Sequence, residues 1–143
     1  TYREAIDSYY EGTFTKEKIN TWMEALATVY NRGFWSGYYL GQKLGEWSDN
    51  PGSNATQKKV YVGKGMHYFP KSNIAEFKIE AYDIKKGDKI LITGPSTGAQ
   101  ELILEDFFVN DATSEKATKG DSCTLKVPFR IRLSDKMYKI VEN

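Results

Sequence analysis

Catalysis needs reactive side chains, and this sequence holds one histidine, His67, and one cysteine, Cys123. A thiol–imidazole couple could attack a carbonyl if the base lay within hydrogen-bond reach of the sulfur. The surroundings point elsewhere. Cys123 shares the parity of Leu125 and Val127 on an alternating strand, the register of a buried, inert thiol. His67 stands beside Tyr68 and Phe69 on a short aromatic run, where a lone imidazole reads as a structural hydrogen-bonder.

Other chemistries are equally short of parts. Zinc or an iron–sulfur cluster needs several soft ligands, so no metal and no cofactor is expected in this chain. Glu105 and Asp106 are adjacent on an extended chain and point to opposite faces, so they do not converge as a paired acid. Gly94-Pro95-Ser96-Thr97-Gly98 lacks the Gly-Lys-Ser/Thr ending of a phosphate loop and reads as a hairpin turn.

Binding remains. Lys58, Lys59, Lys64 and Lys71 cluster near the aromatic segment 61–69, which includes His67 and Tyr68. Lysines beside exposed rings are used by single-stranded nucleic-acid binders, and the same residues make a solvated edge that guards a strand against aggregation. A second candidate surface lies in Asn31–Gly41, where Gly33, Gly37 and Gly41 interrupt a run of rings. This segment is expected to form a tight corner carrying Arg32, Phe34, Trp35 and Tyr38. Those rings either seal helices to a β-structure or form a contact surface for another domain or a ligand.

The elements that position these residues change character along the chain. Tyr2, Ala5, Ile6, Tyr9 and Tyr10 fall on one helical stripe before Gly12, and a second helix opens at Thr15, which can cap it, with Glu17 in its first turn. Phe14 is placed to staple onto Ile19, and the tyrosines of the first helix to pack on Trp22 and Met23 of the second. Such a hairpin is marginal alone and needs a third surface. The cluster Asp49–Asn54 marks an exposed loop. Beyond it come short strands: Val60–Val62 ending at Gly63, Met66–Phe69, an alternating run over Ile74–Tyr82, Ile90–Ile92, Leu102–Leu104, and a long single-parity span from Cys123 to Leu133 that Pro128 must bend. Met137–Val141 supplies the last strand. Six or so short strands with glycine turns and no crossover helices predict a mainly β fold: a small six-stranded β-barrel behind an N-terminal helical hairpin. The expected division is a helical lead-in and aromatic corner over 1–45 and a barrel over 46–143.

The 143 residues suit one such fold, and their 20 basic and 19 acidic side chains exclude a uniformly electropositive nucleic-acid binder. Residues 1–50 hold five Lys/Arg against seven Asp/Glu and residues 51–143 fifteen against twelve, which leaves the β-rich part mildly basic. One cysteine allows no internal disulfide, and no apolar run approaches the ~20 residues of a membrane span, so a cytoplasmic setting without membrane contact is expected.

Two motifs carry a resemblance. Tyr2-Arg3-Glu4-Ala5-Ile6-Asp7, then the Arg32-Gly33-Phe34-Trp35-Ser36-Gly37-Tyr38 corner with Val62-Gly63-Lys64, is similar to the C-terminal region of the collagenase-like peptidases, family 32 of the unassigned-mechanism (U) peptidases. The β half, through Lys86-Gly87-Asp88 and Lys119-Gly120-Asp121, also resembles the second domain of translation elongation factors. The first resemblance implies that catalysis, peptide hydrolysis or RNA hydroxylation, belongs to an N-terminal TIM-barrel-like domain of the same protein. This chain would then be a non-catalytic accessory domain that docks substrate, protein or RNA, or the catalytic domain. The second implies an RNA-binding barrel module. A stand-alone protease using Cys123 and His67 is the third reading.

Overall fold

The computed structural model describes residues 1–34, 41 and 52–143. Trp35 and Tyr38 of the aromatic corner lie outside the described residues, as do residues 49–51 of the loop expected over Asp49–Asn54. The chain is mainly β with two helices at its N-terminus, and it divides into two compact units, Thr1–Lys58 with Glu142–Asn143, and Lys59–Val141.

The helical unit holds α1 (Tyr2–Tyr10) and α2 (Lys16–Ala27). Thr15 caps α2 as its sequence requires, its hydroxyl accepting the Lys18 N–H at 3.3 Å, with Glu17 in the first turn. The seam between the helices differs from expectation. Ser8 is the buried residue of α1, and Lys18 Nζ donates to Ser8 Oγ at 3.1 Å and to Thr13 Oγ1 at 3.0 Å. Phe14 packs on Trp22, ring centroids 5.5 Å apart, while Tyr2, Tyr9 and Tyr10 face solvent. Periodicity groups residues on a face but does not say which face is covered. Beyond α2, the Ala27 carbonyl accepts the Thr56 N–H at 3.0 Å and the Asn31 carbonyl the Asn54 N–H at 2.7 Å, which ties residues 54–56 to the helix end.

The strands, which belong to the second unit except for residues 57–58 and 142, are β1 (Gln57–Phe69), β2 (Ile74–Ile79), β3 (Ile84–Lys85), β4 (Lys89–Gly94), β5 (Gly98–Ile103), β6 (Phe107–Val109), β7 (Ala112–Ser114), β8 (Lys116–Ala117), β9 (Ser122–Lys126) and β10 (Lys136–Glu142). Eight of them form one sheet in the order β5-β4-β10-β1-β2-β9-β6-β7, and β3 pairs with β8 separately. Every pairing with a defined register is antiparallel, as the lack of crossover helices requires. The sheet has eight strands where six are expected, and two local features depart from the expectation. Gly63 does not end a strand: β1 runs through it, and the two runs expected on either side are one. Asn110 and Asp111, at φ 50° and 69°, make a two-residue hairpin between β6 and β7 that carries no glycine to announce it.

Alternation fills the core. Ala75, Phe77 and Ile79 of β2 are buried, as are Cys123 and Leu125 of β9 opposite them, with Ile90, Ile92 and Met137 from the other side of the sheet order. β9 stops at Lys126, before Pro128, yet Val127 and Ile131 continue inward from the irregular chain beyond it.

Three strands start from the same device. In Lys85–Asp88, Thr118–Asp121 and Arg132–Asp135 the Asp N–H donates to the carbonyl of the residue three before it, at 3.1, 3.0 and 3.1 Å. The Asp carboxylate in turn accepts that residue's N–H, at 2.8, 2.7 and 2.8 Å. The residue before each Asp has positive φ, as a type II turn demands: Gly87 at 90°, Gly120 at 99°, Ser134 at 68°. Strands β4, β9 and β10 follow.

Candidate functional site

Lys59 and Lys64 of β1 stand in a connected row with residues from distant strands. Lys64 lies opposite Lys78 of β2, a like-charge pairing that would be unfavourable without counter-charge. Glu80 supplies it to Lys64, whose Nζ reaches Glu80 Oε1 at 3.0 Å, while Lys78 Nζ turns away and donates to the neutral Gly120 carbonyl. The other Glu80 oxygen accepts the Tyr61 hydroxyl at 2.5 Å. Tyr61 meets Tyr138 of β10 edge-on, centroids 5.7 Å apart, and Lys59 Nζ stands 4.7 Å from the centre of the Tyr138 ring. The row is Lys59, Tyr138, Tyr61, Glu80, Lys64.

Its electrostatics follow from these contacts. The hydrogen bond from Tyr61, with Lys64 beside it, holds the Glu80 carboxyl below the usual carboxylate range. The same hydrogen bond, aided by burial, pushes the Tyr61 phenol up to about 12. Both lysines therefore spend part of their charge inside the protein, which leaves less to attract phosphate.

His67 and Tyr68 lie on opposite faces of β1. His67 pairs with Glu76, is exposed, and packs tilted against Phe69, ring centroids 4.5 Å apart. Tyr68 packs half-buried against the core and donates to Asn73 Oδ1 at 3.0 Å. Cys123 is fully buried opposite Phe77, whereas His67 is aligned with Glu76 on the other face. β2 separates their strands, so two strand spacings, about 9–10 Å, lie between the backbones. The two groups do not form a couple.

Burial, with the Asp121 charge adding to it, raises the Cys123 thiol to about 12. The folded thiol thus holds its proton more tightly than an ordinary one near 9, so its contribution to stability is intact below pH 9 and is lost as pH rises through about 12. The native chain is expected to leave a disulfide-exchange reagent unreacted at pH 8 and to release one thiol equivalent once urea unfolds it. A full equivalent from native protein within minutes would contradict the burial.

In the helical unit, Arg32 Nε donates to the Tyr30 hydroxyl at 3.2 Å, Phe34 is half-exposed, and Lys58 is exposed. The Gly33 N–H donates to Asn31 Oδ1 at 3.1 Å, which folds the chain back at the start of the corner. The candidate residues are thus split between the two units. The sequence places Tyr61 in the aromatic segment beside the lysines and on the parity of Lys59, but nothing local marks Glu80 or Tyr138. Among the described residues no group of three or more His, Cys, Asp or Glu side chains is placed to hold a metal ion, and no helix is long and apolar enough to cross a membrane.

Residues 1–49 match the model of Peptidase family U32. A protein named collagenase from Porphyromonas gingivalis is 51% identical over 138 residues, covering 96% of this chain and 33% of that protein. An uncharacterized protease of Methanocaldococcus jannaschii is 31% identical over 144 residues, covering 99% of this chain and 35% of its own. The chain spans about a third of the length of these curated relatives. Among solved structures, the C-terminal domain of a U32 peptidase from Geobacillus thermoleovorans covers 55% of this chain and 96% of its own, with a TM-score of 0.52 and 19% identity, a likeness of fold.

Proposed function

We propose that this chain, which belongs to peptidase family U32, is a non-catalytic C-terminal accessory part of a family protein. Its role is to dock substrate or the rest of that protein, and the reaction of the parent is read as peptide hydrolysis, with RNA hydroxylation the alternative. One observation carries this reading: the chain's lone thiol and lone imidazole lie on opposite faces of the sheet with a strand between them. That arrangement supports holding rather than cleaving. The purified 143-residue chain should leave gelatin and casein intact over a day at 37 °C; clear turnover, abolished by Cys123→Ala, would overturn the proposal.

RNA binding by the β unit has less support, because Lys64 is paired with Glu80 and Lys59 lies over a ring. Filter binding of tRNA at increasing salt is expected to show only weak retention. Tight retention that falls steeply with salt would move the reading to an RNA-binding module.

A further inference from the structure

The geometry points to α1 as the docking element: its exposed stripe of Tyr2, Ile6, Tyr9 and Tyr10 is covered, in a full-length family protein, by the part of the polypeptide that this chain does not match. The inference rests on the accessory reading above and names the surface that such a part would use.

The stripe is built for contact. Its members fall at helical spacing on one face, and they are 73%, 51%, 71% and 82% exposed. Ser8 is buried on the opposite side, where Lys18 reaches it, so the hairpin seam uses the polar face of α1 and leaves the apolar one open. Tyr9 and Tyr10 already pack edge to face at 5.6 Å, a pre-ordered pair. The Arg3–Asp7 ion pair at 2.8 Å borders the stripe with charge, as the rim of an interface does. Tyrosines combine large apolar area with a hydroxyl that needs a partner, which suits a protein surface carrying carbonyl or carboxylate acceptors.

The family match and the length of the relatives indicate the occupant. The family model matches 1–49, a span that contains both helices and ends before β1 begins at Gln57. The alignments to relatives run through the whole chain, but the family model itself is confined to the unit that bears the stripe. In the collagenase of P. gingivalis the matched region is 33% of the protein, so about twice as much polypeptide is present to cover it. A second copy of the chain has no comparable support.

The test replaces the matched third of the P. gingivalis collagenase with this chain and compares the chimera with the free 143-residue chain. Tyrosine nitration, read peptide by peptide, should be at least about tenfold slower at Tyr2, Tyr9 and Tyr10 in the chimera, as expected of side chains desolvated at an interface. The double substitution Ile6→Lys, Tyr9→Lys should lower the chimera's Tm by several degrees and leave that of the free chain nearly unchanged. Equal nitration in the two proteins, a Tm loss of the same size in the free chain, or failure of the chimera to accumulate in soluble form overturns the inference. So does protection that grows with the concentration of the free chain, which would assign the stripe to self-association. Protected tyrosines together with peptidase turnover by the free chain would sink the accessory reading and leave the docking surface standing.

Discussion

Asp135→Ala is expected to cost about 3–4 kcal/mol of unfolding free energy, because it strands donors that were bonded to a buried charge. The side chain is 2% exposed, and its Oδ2 accepts the Thr97 hydroxyl at 2.5 Å and the Arg132 N–H at 2.8 Å. It closes the turn that launches β10 and ties that turn to the β4–β5 hairpin. Its Oδ1 also occupies the space beside Gly94, where a Cβ would lie 1.8 Å away. That proximity adds a sharper expectation. Gly94→Ala should be severely destabilising in the natural background and far milder once Asp135 is alanine, a coupling of about 2 kcal/mol in a double-mutant cycle. Urea denaturation of the four proteins measures it. A loss below about 1 kcal/mol for Asp135→Ala, or simple additivity, would show that the carboxylate is not the joint described here.

Gly63→Ala is the second large effect, with an expected loss of about 3 kcal/mol or more from forced separation of packed backbone. A Cβ there would meet the Lys78 carbonyl oxygen at 1.9 Å and its carbon at 2.9 Å, and backbone within a paired strand cannot rotate aside. At Gly65 the nearest obstacle is the Ile131 side chain at 2.8 Å, which can shift, so Gly65→Ala should be the milder change. In a chain of this size the Gly63 variant should melt about 10 °C lower. A melting temperature within a few degrees of the natural chain, or Gly65→Ala proving the worse of the two, would refute the strand contact. The same position belongs to Val62-Gly63-Lys64, one of the motifs on which the family resemblance rests. The close passage of two strands gives that motif a physical reason.

How far the sequence could be read depended on whether a feature was local. Thr15, Glu17 and the Lys-Gly-Asp turns act on residues a few positions away, and each does what its chemistry implies. The third turn is not legible in the sequence, because Ser134 occupies the place where the other two have glycine, although it takes the same positive φ. Gly63 is ambiguous for a related reason: a glycine can end a strand or let another backbone pass, and only the partner strand distinguishes these. The tyrosines of α1 were correctly grouped but assigned to the wrong neighbour. In the candidate site, Lys59 and Lys64 were visible as a basic edge, but Glu80 and Tyr138, which engage them, lie sixteen residues past Lys64 and on the last strand. Contacts of that range are set by the order of the sheet.

That order has a consequence for synthesis. Since β10 stands between β4 and β1, the ladder is two separate fragments until residues 136–142 have left the ribosome: β5-β4 on one side, and β1-β2-β9-β6-β7 on the other. A nascent chain stalled before Lys136 would show two raw edges, and chaperone occupancy should peak there and fall once the seven residues of β10 emerge.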